Sequence, residues 1–197
     1  MILSPKIILE LNKEHKLLEN LCKRELTNPE GVGFDLRVGQ VHKLIGDSFL
    51  AADETGGKRY SSKTITLYDI KKDGHKRFII KPGEYYLVTT MEKVNSPIEK
   101  IKFDSNFPEA YLVPKISPRS SLQRGGISLH FTGTNPGYHG ELTFGIKNQG
   151  DQNFSFQLGA RMFSVRYHAV YGDIFRSYDG QHQGGRVTSG GKEEKQK

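Results

Sequence analysis

The chain has a single cysteine, Cys22, among 197 residues. That excludes an intrachain disulfide framework and any multi-cysteine zinc site, and it fits a reducing compartment. No apolar run approaches ~18 residues, so no segment reads as a membrane-spanning helix. The opening MILSPKIILEL lacks a basic stretch followed by a long apolar one. No signal peptide is expected, and the expected setting is cytoplasmic. There is no internal repeat. The histidines at 15, 42, 75, 130, 139, 168 and 182 are scattered, without His-x-Glu or Pro-Cys-x-x-Cys spacing. A protein-held catalytic metal is therefore not expected. A Walker loop is missing too: Ser189-Gly190-Gly191-Lys192 lacks a flanking strand and helix and reads as a frayed tail.

Acidic residues are in deficit. Asp and Glu number 22 against 29 Lys and Arg, a net charge of +7, and the pI is near 9.4. A basic surplus suits an anionic partner or serves solubility alone. The positive residues are dispersed, with no polybasic block, which points to a small anionic ligand rather than nucleic acid. The apolar share of 35% allows a modest core, and 10% aromatic residues argue against wholesale disorder. Glycine (22) and proline (8) lean towards turns and short strands.

Ser4-Pro5 is a helix start, a hydroxyl N-cap followed by proline at the first helical position. Ile7, Ile8, Leu11, Leu17, Leu18 and Leu21 continue at helical spacing and predict a helix over 5–24, weakest near Asn12. Pro29 and Gly31 stop it. The period then changes to two. Phe34-Asp35-Leu36-Arg37-Val38 alternates, as do Ile127, Leu129 and Phe131, then Leu142, Phe144 and Ile146, then Phe154, Phe156 and Leu158, then Phe163, Val165 and Tyr167. Short strands also fit 78–80 and 85–90. Such strands between glycine-rich turns predict an all-β sandwich, jelly roll or barrel. Residues 46–63 read as an exposed excursion, and 172–197 as an arm outside the core.

Two stretches could carry chemistry. Pro118-Arg119-Ser120-Ser121-Leu122 sets a guanidinium, two hydroxyls and backbone amides in one turn. That suits a phosphate chain, and equally a capped turn with a surface ion pair. Gly133-Thr134-Asn135-Pro136-Gly137-Tyr138-His139-Gly140 is a glycine-dense hairpin tip. It could let backbone approach a ligand with Tyr138 against a sugar, or be a long turn around a packed tyrosine.

Taken together and in order, these pieces resemble the trimeric dUTPase and dCTP deaminase family. Gly33-Phe34-Asp35-Leu36-Arg37-Val38-Gly39 is similar to its first motif. Arg119-Ser120-Ser121-Leu122 with Arg124 and Gly126 is similar to the second. Asn135-Pro136-Gly137-Tyr138-x-Gly140 with Leu142-Thr143-Phe144 and Asn148 is similar to the third. Gly159-Ala160-Arg161-Met162 and Tyr178-x-Gly180-Gln181 resemble the remaining two. The resemblance runs from residue 1 to about 186 and covers 46–76 least.

The resemblance implies a distorted β jelly roll with an N-terminal helix, over 1–171, and a C-terminal arm and flexible tail over 172–197. It implies a homotrimer with active sites between subunits and a deoxynucleoside triphosphate as ligand, with no nucleic-acid or membrane partner. Arg119, Ser120 and Ser121 would hold the triphosphate. Magnesium would arrive mainly on the phosphates, without a protein-built metal site. The 131–144 hairpin, with Thr134, would read the pyrimidine edge, and Tyr138 would lie against the deoxyribose. Arg124 would belong to the catalytic group. Tyr178, Gln181 and Arg186 of the arm would close over a site.

Two departures bear on activity. The dUTPase branch uses an aspartate at the position of Asn135 to activate water, and a neutral amide cannot take that proton. The deaminase branch uses a glutamate at the position of Gly145. Ser164 stands where a fourth-motif glutamine is usual. Asn135 could be a deliberate inactivating change, the mark of a natural nucleotide-binding relative without catalysis, or compensated by another carboxylate. Glu141 is the candidate for that last role, at ~13 Å along the strand. Asp35, in the first motif, reads as structural. The short spacing from Leu122 to Tyr138 favours dUTP cleavage to dUMP and pyrophosphate, while Tyr-x-Gly-Gln leaves dCTP deamination as the alternative.

Overall fold

The computed structural model describes residues 1–196. Its first element is helix α1 (Pro5–His15), where the Ser4 hydroxyl accepts from the Ile7 amide. The helix stops nine residues short of the predicted 24. Lys16 takes the left-handed conformation (φ 47, ψ 47) and caps it. The Asn12 side chain then bonds both backbone groups of Leu18, donating at 2.9 Å and accepting at 2.7 Å. Leu17 and Leu18 are buried, and Leu18 pairs with Val94 as part of a two-residue strand, β1 (Leu18–Glu19). Tertiary burial thus overrides local helical spacing. A short helix α2 (Lys23–Thr27) follows.

The body is antiparallel sheet. Its strands are β2 (Phe34–Ile45), β5 (Lys63–Asp69), β7 (Tyr85–Asn95), β8 (Tyr111–Pro118), β9 (Ile127–His130), β10 (His139–Asn148) and β12 (Arg161–Val170). The order is β8-β12-β2-β7-β10-β9, with β1 on β7 and β5 on β2. Strand β2 reaches three neighbours because it is long. Its start pairs with β12, its middle with β7 and its end with β5. A second pair, β6 (Arg77–Ile80) with β11 (Phe154–Gln157), packs Phe78 against Phe156. Helix α3 (Ile70–Asp73) and helix α4 (Ser120–Arg124) are single turns. The predicted alternation is what fills the interior: Phe34, Leu36, Phe144, Ile146, Phe163, Val165 and Tyr167 are buried. Phe144 stacks on Phe163 at 4.3 Å between centroids. Each such side chain stabilises the fold by roughly 1.5–3 kcal/mol through burial. The result is an all-β, nearly closed distorted jelly roll with an N-terminal helix and a C-terminal arm. Among the described residues, no helix is long and apolar enough to cross a membrane.

The excursion and the tail meet. Strands β3 (Phe49–Leu50) and β4 (Lys58–Tyr60) form a hairpin, and β13 (Glu194–Lys195) adds to β4 as a third strand. Ser61 and Ser189 exchange backbone-to-hydroxyl bonds at 2.8 and 2.7 Å. The Gly191 amide donates to the Ser61 carbonyl at 2.9 Å. The stretch Ser189–Lys192, read from sequence as frayed, is therefore tied down by a segment more than 120 residues away.

Candidate functional site

A cleft of about 260 Å³ opens between the 132–144 hairpin, the sheet and the arm. One wall is Thr132, Gly133, Thr134 and Asn135, and the floor includes Leu87, Ile116 and Phe144. The opposite wall is Tyr178, His182, Arg186 and Val187.

The hairpin is held by hydrogen bonds of its own and by contacts from distant segments. Its Thr134 hydroxyl donates to the Pro114 carbonyl at 2.5 Å, and the Tyr138 amide donates to the Asn135 carbonyl at 3.1 Å. Tyr138 is buried, and its hydroxyl donates to the Glu141 carbonyl at 2.5 Å. Burial pushes that phenol up to about 12. The Tyr178 ring meets Tyr138 edge-on at 5.6 Å, and the Tyr178 amide donates to Pro136 at 2.7 Å. Gln183 clamps the same tip, donating to the Gly137 carbonyl and accepting from the His139 amide. Gly140 permits the approach: a Cβ there would stand 2.5 Å from the Gly185 nitrogen.

Asn135, Thr134, Tyr138, Tyr178 and Arg186 are thus together at the cleft. Gln181 is not. Its amide donates to the Lys195 carbonyl, so it braces β13. Arg119, Ser120, Ser121 and Arg124 do not line the cleft of their own chain. Arg119 precedes α4, and the other three side chains are exposed on that turn. The Arg119 Nε lies 3.1 Å from Asp35, which also takes Arg161 at 3.0 Å. Burial pushes the Asp35 carboxyl up, against the pull of Arg119 and Arg161. Buried Glu25 supports this cluster, accepting from the Asp35 amide at 2.9 Å and from Arg24 at 2.5 Å. The structural reading of Asp35 agrees with this geometry.

Among the described residues, no carboxylate lines the cleft. Glu141 is the backbone register partner of Lys93 across the sheet and does not line the cleft. The space beside Gly145 is filled by Tyr85, whose hydroxyl would lie 1.9 Å from a Cβ at 145. Among the described residues no group of three or more His, Cys, Asp or Glu side chains is placed to hold a metal ion. Sequence reasoning missed His182, Val187 and Leu87 as lining residues. His182 directly follows the Tyr-x-Gly-Gln motif, which was the one available signal.

The sequence profile of the dCTP deaminase-like family matches residues 2–170. The chain belongs to that family. This dCTP deaminase-like chain is 31% identical over 177 residues to a "dCTP deaminase, dUMP-forming" of Methanobrevibacter smithii, covering 86% of this chain and 80% of the other. It is 27% identical over 152 residues to the dCTP deaminase of Pyrococcus furiosus, covering 77% and 76%. Among solved structures, the 2'-deoxycytidine 5'-triphosphate deaminase of Agrobacterium tumefaciens superimposes with a TM-score of 0.57 at 18% identity. That match covers 86% of this chain and 48%, about half, of the other. The dCTP deaminase-like family is an enzyme family, and its named relatives favour the deaminase alternative over the dUTPase reading drawn from spacing.

Proposed function

We propose that this chain binds a pyrimidine deoxynucleoside triphosphate of the dCTP and dUTP class, with deamination as the parent chemistry and its own turnover severely reduced. One observation carries the reading: the cleft has the walls for a nucleoside and a guanidinium for phosphate, but, among the described residues, no carboxylate in its lining.

The hairpin backbone at 132–135 offers amides and carbonyls to a pyrimidine edge. The Tyr138–Tyr178 pair forms a wall beside which a 2'-hydroxyl would find no partner. Arg186 supplies charge for the phosphates. Arg119, Ser120 and Ser121 would complete the phosphate grip from a second copy in a homotrimer, since they stand away from the cleft of their own chain. Magnesium would come bound to the phosphates and shield their charge, because Asp35 is already committed to arginines.

Some relatives carry the name "dCTP deaminase, dUMP-forming". Going from dCTP to dUMP takes two attacks by water, one at the cytosine ring and one at phosphorus. Each needs a group that can accept a proton. At the two positions where the family resemblance places those groups, this chain has an amide, Asn135, and a glycine, Gly145. Binding needs no proton acceptor at either position.

Calorimetry with dCTP and dUTP in magnesium should give saturable binding, and product separation should show little ammonia or pyrophosphate. Asn135→Asp should raise triphosphate cleavage by about 100-fold or more, the usual contribution of a positioned base. Absence of binding to both nucleotides would overturn the proposal. Rapid product release by the unaltered chain would overturn the claim of reduced turnover.

A further inference from the structure

A group of cations sits at the edge of the cleft, and part of it comes from the excursion. His182 lines the nucleotide cleft together with Arg186. It also lines a neighbouring hollow of about 280 Å³ with Arg59 of β4. His182 is therefore a wall shared by both. Its Nδ1 lies 3.0 Å from the Arg186 carbonyl oxygen, which can only accept, so Nδ1 carries the proton. Its Nε2 then accepts from Arg59 Nη2 at 3.3 Å. The imidazole is neutral in this arrangement and ties the excursion to the arm.

Glu194 of the tail lies among these groups. One oxygen accepts from Arg186 Nη2. Its backbone is the register partner of Arg59. The hydrogen bond from Arg186 holds its carboxyl below the usual range, with the charges of Arg186 and Arg59 adding to the effect. Among the described residues, its second oxygen, Oε2, is buried without a hydrogen-bond partner. The neighbouring acid, Glu193, is taken by Lys58 at 2.9 Å. Among the described residues, two guanidiniums thus face one carboxylate, with a surplus positive charge.

That fit is poor for a carboxylate and better for a phosphate. A carboxylate bound through one oxygen leaves the other desolvated and unpaired, which is costly. A phosphate group has three oxygens and more charge, enough to engage both guanidiniums at once. We propose that Arg59 and Arg186, with His182 holding Arg59 in place, form an anion site at the cleft edge, filled by Glu194 in the free chain and taken over by a phosphate group when ligand binds. For the nucleotide this rests on the binding proposed above; for the anion itself it does not. Glu194 is a built-in competitor, so the measured affinity is the intrinsic affinity reduced by the fraction of open sites. Arg59 gives the excursion a role in binding that none of the family motifs assigns.

The test is calorimetry on the full chain with inorganic tripolyphosphate, dCTP and deoxycytidine as separate probes. Glu194→Gln should tighten tripolyphosphate and dCTP by roughly three- to tenfold. Arg59→Gln should weaken both by about tenfold. Deoxycytidine, which has no phosphate, should respond to neither. Circular dichroism and thermal melting identify any variant that has lost its fold, and Arg59→Lys then serves as a milder replacement. Unchanged or weaker tripolyphosphate binding in Glu194→Gln would overturn the displacement. If dCTP binds but ignores both variants, the anion site falls and the nucleotide reading stands. If tripolyphosphate responds as expected while dCTP does not bind, the anion site stands and the nucleotide reading falls.

Discussion

The Tyr85 hydroxyl occupies the position that a side chain on Gly145 would need, 1.9 Å from the ideal Cβ. Tyr85 and Gly145 lie on adjacent strands, with Leu87 directly opposite Gly145. Restoring an acid at 145 therefore takes more than one substitution. Gly145→Glu alone should destabilise by about 1 kcal/mol, at the low end for overpacking, because half-exposed Tyr85 can swing outward. Adding Tyr85→Ala should recover most of that loss. Denaturant unfolding of the single and double variants measures it, and equal stability of single and double would show that Tyr85 is not the obstacle.

The Tyr138 phenol should remain protonated well into alkali. Its hydroxyl donates to Glu141, and burial pushes it up to about 12 from an ordinary 10.0. The protonated form is thus favoured by folding. This contribution to stability is complete below the unfolded value near 10 and is lost as pH rises through about 12. Phenolate absorbance should show late-titrating phenols, fewer by one in Tyr138→Phe, with buried Tyr167 still titrating late. Titration of Tyr138 alongside the exposed tyrosines would contradict this.

Glu25 should matter more than its place on a five-residue helix suggests. It is fully buried and engages Arg24, the Asp35 amide and, at 3.6 Å, Arg161. Removing one partner from such a buried pair typically costs 3–5 kcal/mol. Glu25→Ala should fall near 3 kcal/mol, because Arg24 and Arg161 keep partial access to water. Melting should drop by roughly 6–12 °C for a chain of this length. A change within 1 °C would mean that the Arg119 turn is held by other contacts.

The Ser61–Ser189 exchange should control how tightly the tail is held. Ser189→Ala removes the acceptor for the Ser61 amide at 2.8 Å. A loss of about 1 kcal/mol, or about fivefold in the opening equilibrium, is expected. Hydrogen exchange at residues 188–196 should rise by that factor while β2 and β7 are unaffected. Unchanged protection would place the restraint in the β4–β13 pairing instead.

Much of the body was legible in the sequence because its strands alternate cleanly. Phe34 to Val38, Leu142 to Ile146 and Phe163 to Tyr167 fall inside as their period requires. The ordered motifs led to the family and to Asn135, Tyr138, Tyr178 and Arg186 at one cleft. The helix was overrun because Leu17 and Leu18 keep helical spacing while serving the sheet. The β4–β13 clasp was invisible for a different reason. Its two short strands, Lys58-Arg59-Tyr60 and Glu194-Lys195, are polar, have no period and pair across most of the chain. The same non-locality hid His182 and Arg59. The absence of an acid at 145 could be read from sequence, but not that Tyr85 fills the gap.

Residues 178–187 have a bearing on when this protein becomes competent. They are a whole wall of the cleft, yet the ribosome makes them after every strand of the large sheet. A nascent chain can fold its barrel and still present only an open trough. Closure of the cleft therefore follows synthesis of the sheet, and a chain lacking Tyr178 and the residues after it would lack that wall.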